Sequence, residues 1–157
     1  LSYKLSQLRL TLCLYHCFLD DDDSGRRLSE RAVQEGLLDS KYLHLSRAIG
    51  RQEAELEDWY RIEAYEGPLR AYLNIQAFPP RFSTSRKWSR RLSDALEQLG
   101  RPFNNRVLME AKYIVASAVA ASPGTALLDQ VRPAFEDLVA SLENRLEDLR
   151  KARIAAS

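Results

Sequence analysis

Apolar residues recur at three- and four-residue spacing along most of the chain, and no other feature constrains its fold as strongly. Leu45, Ile49, Leu56, Trp59 and Ile62 form one such stripe, and Trp88, Leu92, Ala95, Leu96 and Leu99 form a second. Val107, Leu108, Ala111, Ile114, Val115 and Ala118 form a third, and Phe135, Leu138, Leu142, Leu146 and Leu149 a fourth. A stripe of this kind buries one side of an α-helix. Gly and Pro number only six each, and nearly all stand where a helix should end. The spacing predicts an all-α fold, an irregular bundle of about five to seven helices with a long amphipathic C-terminal helix. Trp59 and Trp88 lie on apolar stripes and are expected in the core.

The 157 residues suit a single helical domain, 1–157, with a possible sub-boundary near 77–84 where "FPP" forces an extended path. Leu1 to Asp20 runs without a breaker. Leu5, Leu8, Leu12, Tyr15 and Leu19 follow the helical period, while Leu8, Leu10, Leu12 and Leu14 alternate as in a strand. Length favours a helix there. A short helix is expected over 28–38. A longer one, capped by Ser40, should reach Glu66 and stop at Gly67 and Pro68. Another short helix should cover 69–75. Ser83 or Ser85 should cap a helix ending at Gly100, Asn104 should cap the next, and Pro133 should kink or restart the last.

Net charge is +1, so any electrostatic role must come from local segregation of charge. Acid gathers at "DDDD" (Asp20 to Asp23) and at "EAELED" (Glu53 to Asp58). Base gathers in "FPPRFSTSRKWSRRL", residues 78–92, which contains no acidic side chain. Arg81, Arg86, Lys87, Arg90 and Arg91, extended by Arg101 and Arg106, are the candidate surface for an acidic protein partner or a nucleic-acid backbone. Basic residues early in a helix oppose its dipole, so something must offset them. Pairing with "EAELED" or with a partner's acidic face is the favoured reading.

Cys13, His16, Cys17 and Asp20 would share one face of a helix and are the candidate metal ligands. One straight helix cannot wrap four side chains around one ion, so buried free cysteines are the simpler reading. "DDDDSG" matches the start of a calcium-binding EF-hand loop at Asp20, Asp22, Ser24 and Gly25. Arg31 stands where that loop needs a bidentate carboxylate, so the match fails. Four aspartates are also unfavourable at a helix C-terminus, which suggests that the preceding helix ends before them. No phosphate loop, nucleophile elbow or zinc-protease motif is present, so no catalytic residue and no cofactor is assigned.

The expectation is therefore a non-catalytic helical module acting by protein–protein association, as a subunit or adaptor of a larger assembly. The alternative is a nucleic-acid backbone-binding subunit using 81–106. Two cysteines and no apolar run of membrane-spanning length fit a cytoplasmic protein without a membrane segment. The first residue is Leu1 rather than Met, consistent with a tag, a processed leader or a larger parent chain upstream.

Overall fold

A computed structural model describes residues 3–5, 7 and 15–155, apart from the side chains of 81, 83 and 152–155. The chain is mostly helical, as the apolar period predicts. It divides into two compact units, Leu1–Leu45 with Arg132–Ser157, and Ser46–Val131. Among the described residues no helix is long and apolar enough to cross a membrane.

The first unit holds the two-stranded sheet found among the described residues. Cys17–Leu19 is a strand, β1, that pairs in parallel with β2, Leu43–Leu45. The register sets Cys17 beside Leu43, Phe18 beside His44 and Leu19 beside Leu45. Helix α1, Asp23–Gln34, lies between the two strands in sequence. This corrects the helix expected to run through Leu19. Local spacing favoured helix there, but the strand's partner lies about two dozen residues downstream, and a window of local sequence does not contain it. Residues 8–14, which carry the Leu alternation, lie outside the described residues.

The acidic turn explains where α1 begins. The Asp22 side chain accepts from the Gly25 amide at 2.8 Å and caps the helix, and Asp23 stands in its first turn. Negative charge is stabilising at that end of a helix. The helix therefore starts five residues earlier than the apolar residues alone suggest. A Cβ on Gly25 would meet the Asp20 carbonyl oxygen at 1.9 Å, so only glycine lets the chain turn this closely out of β1. The helix ends at Gly36, whose φ of +67° carries a Schellman turn. In that turn the amides of Gly36 and Leu37 donate to the carbonyls of Val33 and Ala32. Leu5, Cys17, Ala32 and Leu38 form the small core of this unit. Its last helix, α6, spans Arg132–Ala155, with Pro133 in the first turn, where its missing amide costs nothing.

The long helix expected from Ser40 to Glu66, across the boundary between the units, does not form. A 3₁₀ turn covers Ser40–Tyr42, β2 follows, and short 3₁₀ turns cover Leu56–Trp59 and Ile62–Ala64. Gly50 has φ +78°, a left-handed conformation that breaks any helix through it, and Ile49 is exposed instead of buried. Gly67 and Pro68 do not stop a helix but begin one. Helix α2 is Glu66–Leu73, and Pro68 lies in its first turn, where amides have no helical partner. Helix α3 is Trp88–Gln98, helix α4 Asn105–Ala121 and the short α5 Pro123–Ala126. Asn104 caps α4, accepting from the Val107 amide at 3.0 Å, and Gly100 follows α3 with φ +65°, both as expected.

The core of the second unit joins Tyr65, Leu69 and Leu73 to Phe82, Trp88, Leu92 and Leu96, and to Ala111 and Val115 of α4. Both tryptophans are buried, Trp88 on the stripe of α3 and Trp59 at the end of a 3₁₀ turn, since the helix expected to carry its stripe does not form. Residues 77–84 lie inside the unit: Phe78 stacks on Phe82 at 4.1 Å, and Phe82 meets Trp88 edge-on at 6.5 Å. The two ends of the unit are tied where the Arg61 amide donates to Ala126 at 2.7 Å and the Leu128 amide to Trp59 at 2.9 Å.

Candidate functional site

The basic and acidic segments of the second unit meet. Helix α3 begins at Trp88 without a capping side chain of its own, because Lys87 holds the cap position. Two carboxylates from some thirty residues upstream supply the cap. Asp58 Oδ2 accepts from the Trp88 amide at 3.0 Å, and Glu55 Oε2 from the Ser89 amide at 2.8 Å. Glu55 Oε1 also accepts from Ser89 Oγ at 2.7 Å. Asp58 folds its own turn as well, accepting from the Glu55 amide at 3.0 Å. These charges sit at the positive end of the α3 dipole and offset the basic residues there.

Arg91 closes the arrangement. Its Nη2 lies 2.6 Å from Asp58 Oδ1, and its Nη1 donates to the Phe82 carbonyl at 2.9 Å. Its guanidinium stacks over the Phe82 ring at 5.2 Å. Arg51 Nε stands 3.5 Å from the same Asp58 oxygen, and Arg51 Nη1 donates to the carbonyls of Thr84 and Arg86. Lys112 of α4 bridges Glu57 at 2.9 Å and Glu55 at 3.6 Å. Burial pushes the Glu57 carboxyl above its usual range, against the pull of Lys112. Burial likewise lowers the Arg51 guanidinium, with Asp58 opposing the shift.

The seven basic candidates therefore do not share one open face. Arg91 is buried, contrary to a cationic row free of the core. Lys87 lies 4.0 Å from Glu53, and Arg86 pairs with Asp94 at 2.5 Å. Arg101 caps the carbonyl end of α2 through the Leu73 and Asn74 oxygens, and Arg106 pairs with Glu110 at 2.8 Å. Arg90 is exposed. The side chain of Arg81 lies outside the described residues. Sequence reading identified both charged segments but missed Glu55 and Asp58 as caps. Neither Ser83 nor Ser85 caps α3 as expected, because it begins at Trp88 with Lys87 in the cap position.

Of the metal candidates, only Cys17 lies in β1, with His16 just before it and Asp20 just after it, so the described three are not aligned along one helix face. Cys17 points into the core, where burial raises its thiol. His16 precedes β1. Its ring stacks on His44 at 5.3 Å, and its Nε2 lies 3.0 Å from Ser141 Oγ of α6. Burial, then His44 and Arg145, hold its imidazole below the usual value. Asp20 follows β1, and Cys13 lies outside the described residues. Among the described residues no three His, Cys, Asp or Glu side chains converge as a metal-binding group. In the acidic turn, Asp22 caps α1 and Asp21 pairs with Arg26.

Among the described residues, helix α6 meets the rest of the first unit through Ser141 and Arg145. Arg145 lies over the Tyr42 ring at 3.8 Å and donates to its hydroxyl, and Ser141 Oγ donates to the Lys41 carbonyl at 3.4 Å. A pocket of about 340 Å³ is lined by Lys41, Tyr42, Asp137, Ser141, Asn144 and Arg145, among others. The apolar stripe of α6 runs roughly a quarter turn away from this contact. On it Phe135 is 39%, Leu142 41% and Leu146 58% exposed. Comparison with known proteins returned no matching family model, no matching curated protein and no matching solved structure.

Proposed function

We propose that this chain acts by association, as a non-catalytic helical subunit or adaptor that offers the apolar stripe of α6 to a protein partner. The supporting observation is the exposure of Phe135, Leu142 and Leu146 along one side of a 24-residue helix. At 1.5 Å per residue that helix is about 36 Å long, enough for an extended docking face. Aligned large apolar side chains at i, i+7 and i+11 are the anchors by which helices dock in grooves or against other helices. The basic segment gives the nucleic-acid alternative less support, because Arg86, Lys87, Arg91, Arg101 and Arg106 are engaged within the chain. The test is size-exclusion chromatography with light scattering on the native complex and on Leu142→Ser/Leu146→Ser. A stoichiometric complex formed by the wild type and lost in the variant is expected. A variant that keeps the full complex refutes the α6 face. Steep, salt-dependent oligonucleotide binding lost in Arg90→Gln would favour the alternative.

A further inference from the structure

We infer that the contact between α6 and the paired strands is a pH-sensitive latch, closed while His16 is neutral and released when the stacked His16–His44 pair takes up protons. The latch is independent of whether the apolar stripe binds a partner, and its parts all belong to the first unit. The strand register builds the cluster. It sets Phe18 beside His44, and His16 and Tyr42, two residues ahead of each, fall on the same face. The His16 ring stacks on His44 at 5.3 Å and meets Tyr42 edge-on at 5.2 Å. Among the described residues, α6 hydrogen-bonds to the rest of the unit through two side chains, and both reach this cluster. Ser141 Oγ lies 3.0 Å from His16 Nε2, and the Arg145 guanidinium lies over the Tyr42 ring at 3.8 Å.

The site suits neutral imidazole and opposes imidazolium. Ser141 Oγ donates to the Lys41 carbonyl at 3.4 Å, so His16 Nε2 carries the hydrogen shared with Oγ, and Nδ1 carries the lone pair. Nδ1 is buried without a hydrogen-bond partner among the described residues, and so is His44 Nε2. A proton on Nδ1 would create a buried N–H with no acceptor, beside the fixed charge of Arg145. Burial, His44 and Arg145 all disfavour the charged ring. The other charged groups around the cluster are otherwise engaged. Lys41 adds positive charge and pairs with Asp39 at 3.3 Å. Asp137 and Asp148 of α6 line the pocket with Arg145. In α1, Arg26 turns to Asp21 and Arg31 to Glu35. On the strand itself Cys17 faces the core, and Asp20 follows the last paired residue. The His16 contacts given above include no carboxylate.

The released chain takes up protons at the ordinary imidazole value of about 6.5, whereas the docked one resists them. Docking therefore weakens as pH falls through about 6.5, and one imidazole kept neutral by docking loosens it about tenfold by pH 5.5. Amide hydrogen exchange of residues 138–148 in the full chain, corrected for the intrinsic rate at each pH, tests this, since a helix freed of its packing frays. Exchange about tenfold faster at pH 5.5 than at pH 7.5 is expected. His16→Gln keeps an N–H for Ser141 but cannot titrate, and should abolish the acceleration. Unchanged exchange in the wild type overturns the inference, and so does equal acceleration in His16→Gln. If His16→Gln already releases α6 at pH 7.5, the His16 ring resonance of the wild type decides. It should titrate below 6.5, with the Ser141 and Arg145 amides moving at the same midpoint. A midpoint at or above 6.5, or amides that move at a different pH, overturns the latch.

Discussion

Asp58→Ala should destabilise the second unit by about 3–5 kcal/mol, the cost of leaving a buried charge without its partner. The Asp58 side chain is fully buried, and it serves the Trp88 amide, the Glu55 amide, Arg91 and Arg51. Alanine removes the acceptor and leaves Arg91 confined between the Phe82 ring and a vacated site. Asp58→Asn keeps an oxygen for the helix amide but not the charge, so its cost should be intermediate. Replacing both partners, Asp58→Leu with Arg91→Met, should recover part of the loss, because no uncompensated charge remains. Both tryptophans lie in this unit, so urea unfolding followed by tryptophan fluorescence reads it directly. An Asp58→Ala midpoint equal to that of the wild type would show that the carboxylates do not hold the basic segment.

Trp88→Ala should cost about 3–5 kcal/mol, by loss of transfer free energy and by the cavity left behind. Trp88 has no exposed surface and packs among Phe82, Leu92 and Leu96 in the core shared by α2, α3 and α4. Trp88→Phe keeps most of the apolar volume and should cost clearly less. The remaining fluorophore, Trp59, donates its indole N–H to the Arg47 carbonyl at 3.0 Å and still reports unfolding. An alanine variant that melts like the wild type would place Trp88 at the surface. It would also revive the reading of this segment as an aromatic and basic platform for single-stranded nucleic acid.

Phosphate binding by Arg91 is disfavoured for the same reason that Asp58 matters. A guanidinium 2.6 Å from a buried carboxylate cannot face solvent without opening the core. The cost of a cationic helix start is met within the chain, by Glu55 and Asp58, and no external anion is needed for it.

Features set by short-range chemistry were legible in the sequence alone. The predominance of helix, the Asn104 cap, the left-handed Gly100, the restart at Pro133 and the burial of Trp88 each depend on a few neighbouring residues. The attraction between the charged segments was legible as a tendency, since the charged residues of one are all basic and those of the other all acidic. Only the tertiary structure decided the rest. Whether residues 17–19 become strand depends on residues 43–45, which pair with them across an intervening helix. Whether residues 41–66 become helix depends on Glu55 and Asp58, whose carboxylates are drawn off to cap α3 while Gly50 turns left-handed. Whether Pro68 ends a helix or opens one depends on which side of it the chain finds its core, and Leu69 and Leu73 are buried on the far side. In each case the local pattern allowed two conformations of similar free energy, and a contact distant in sequence selected between them.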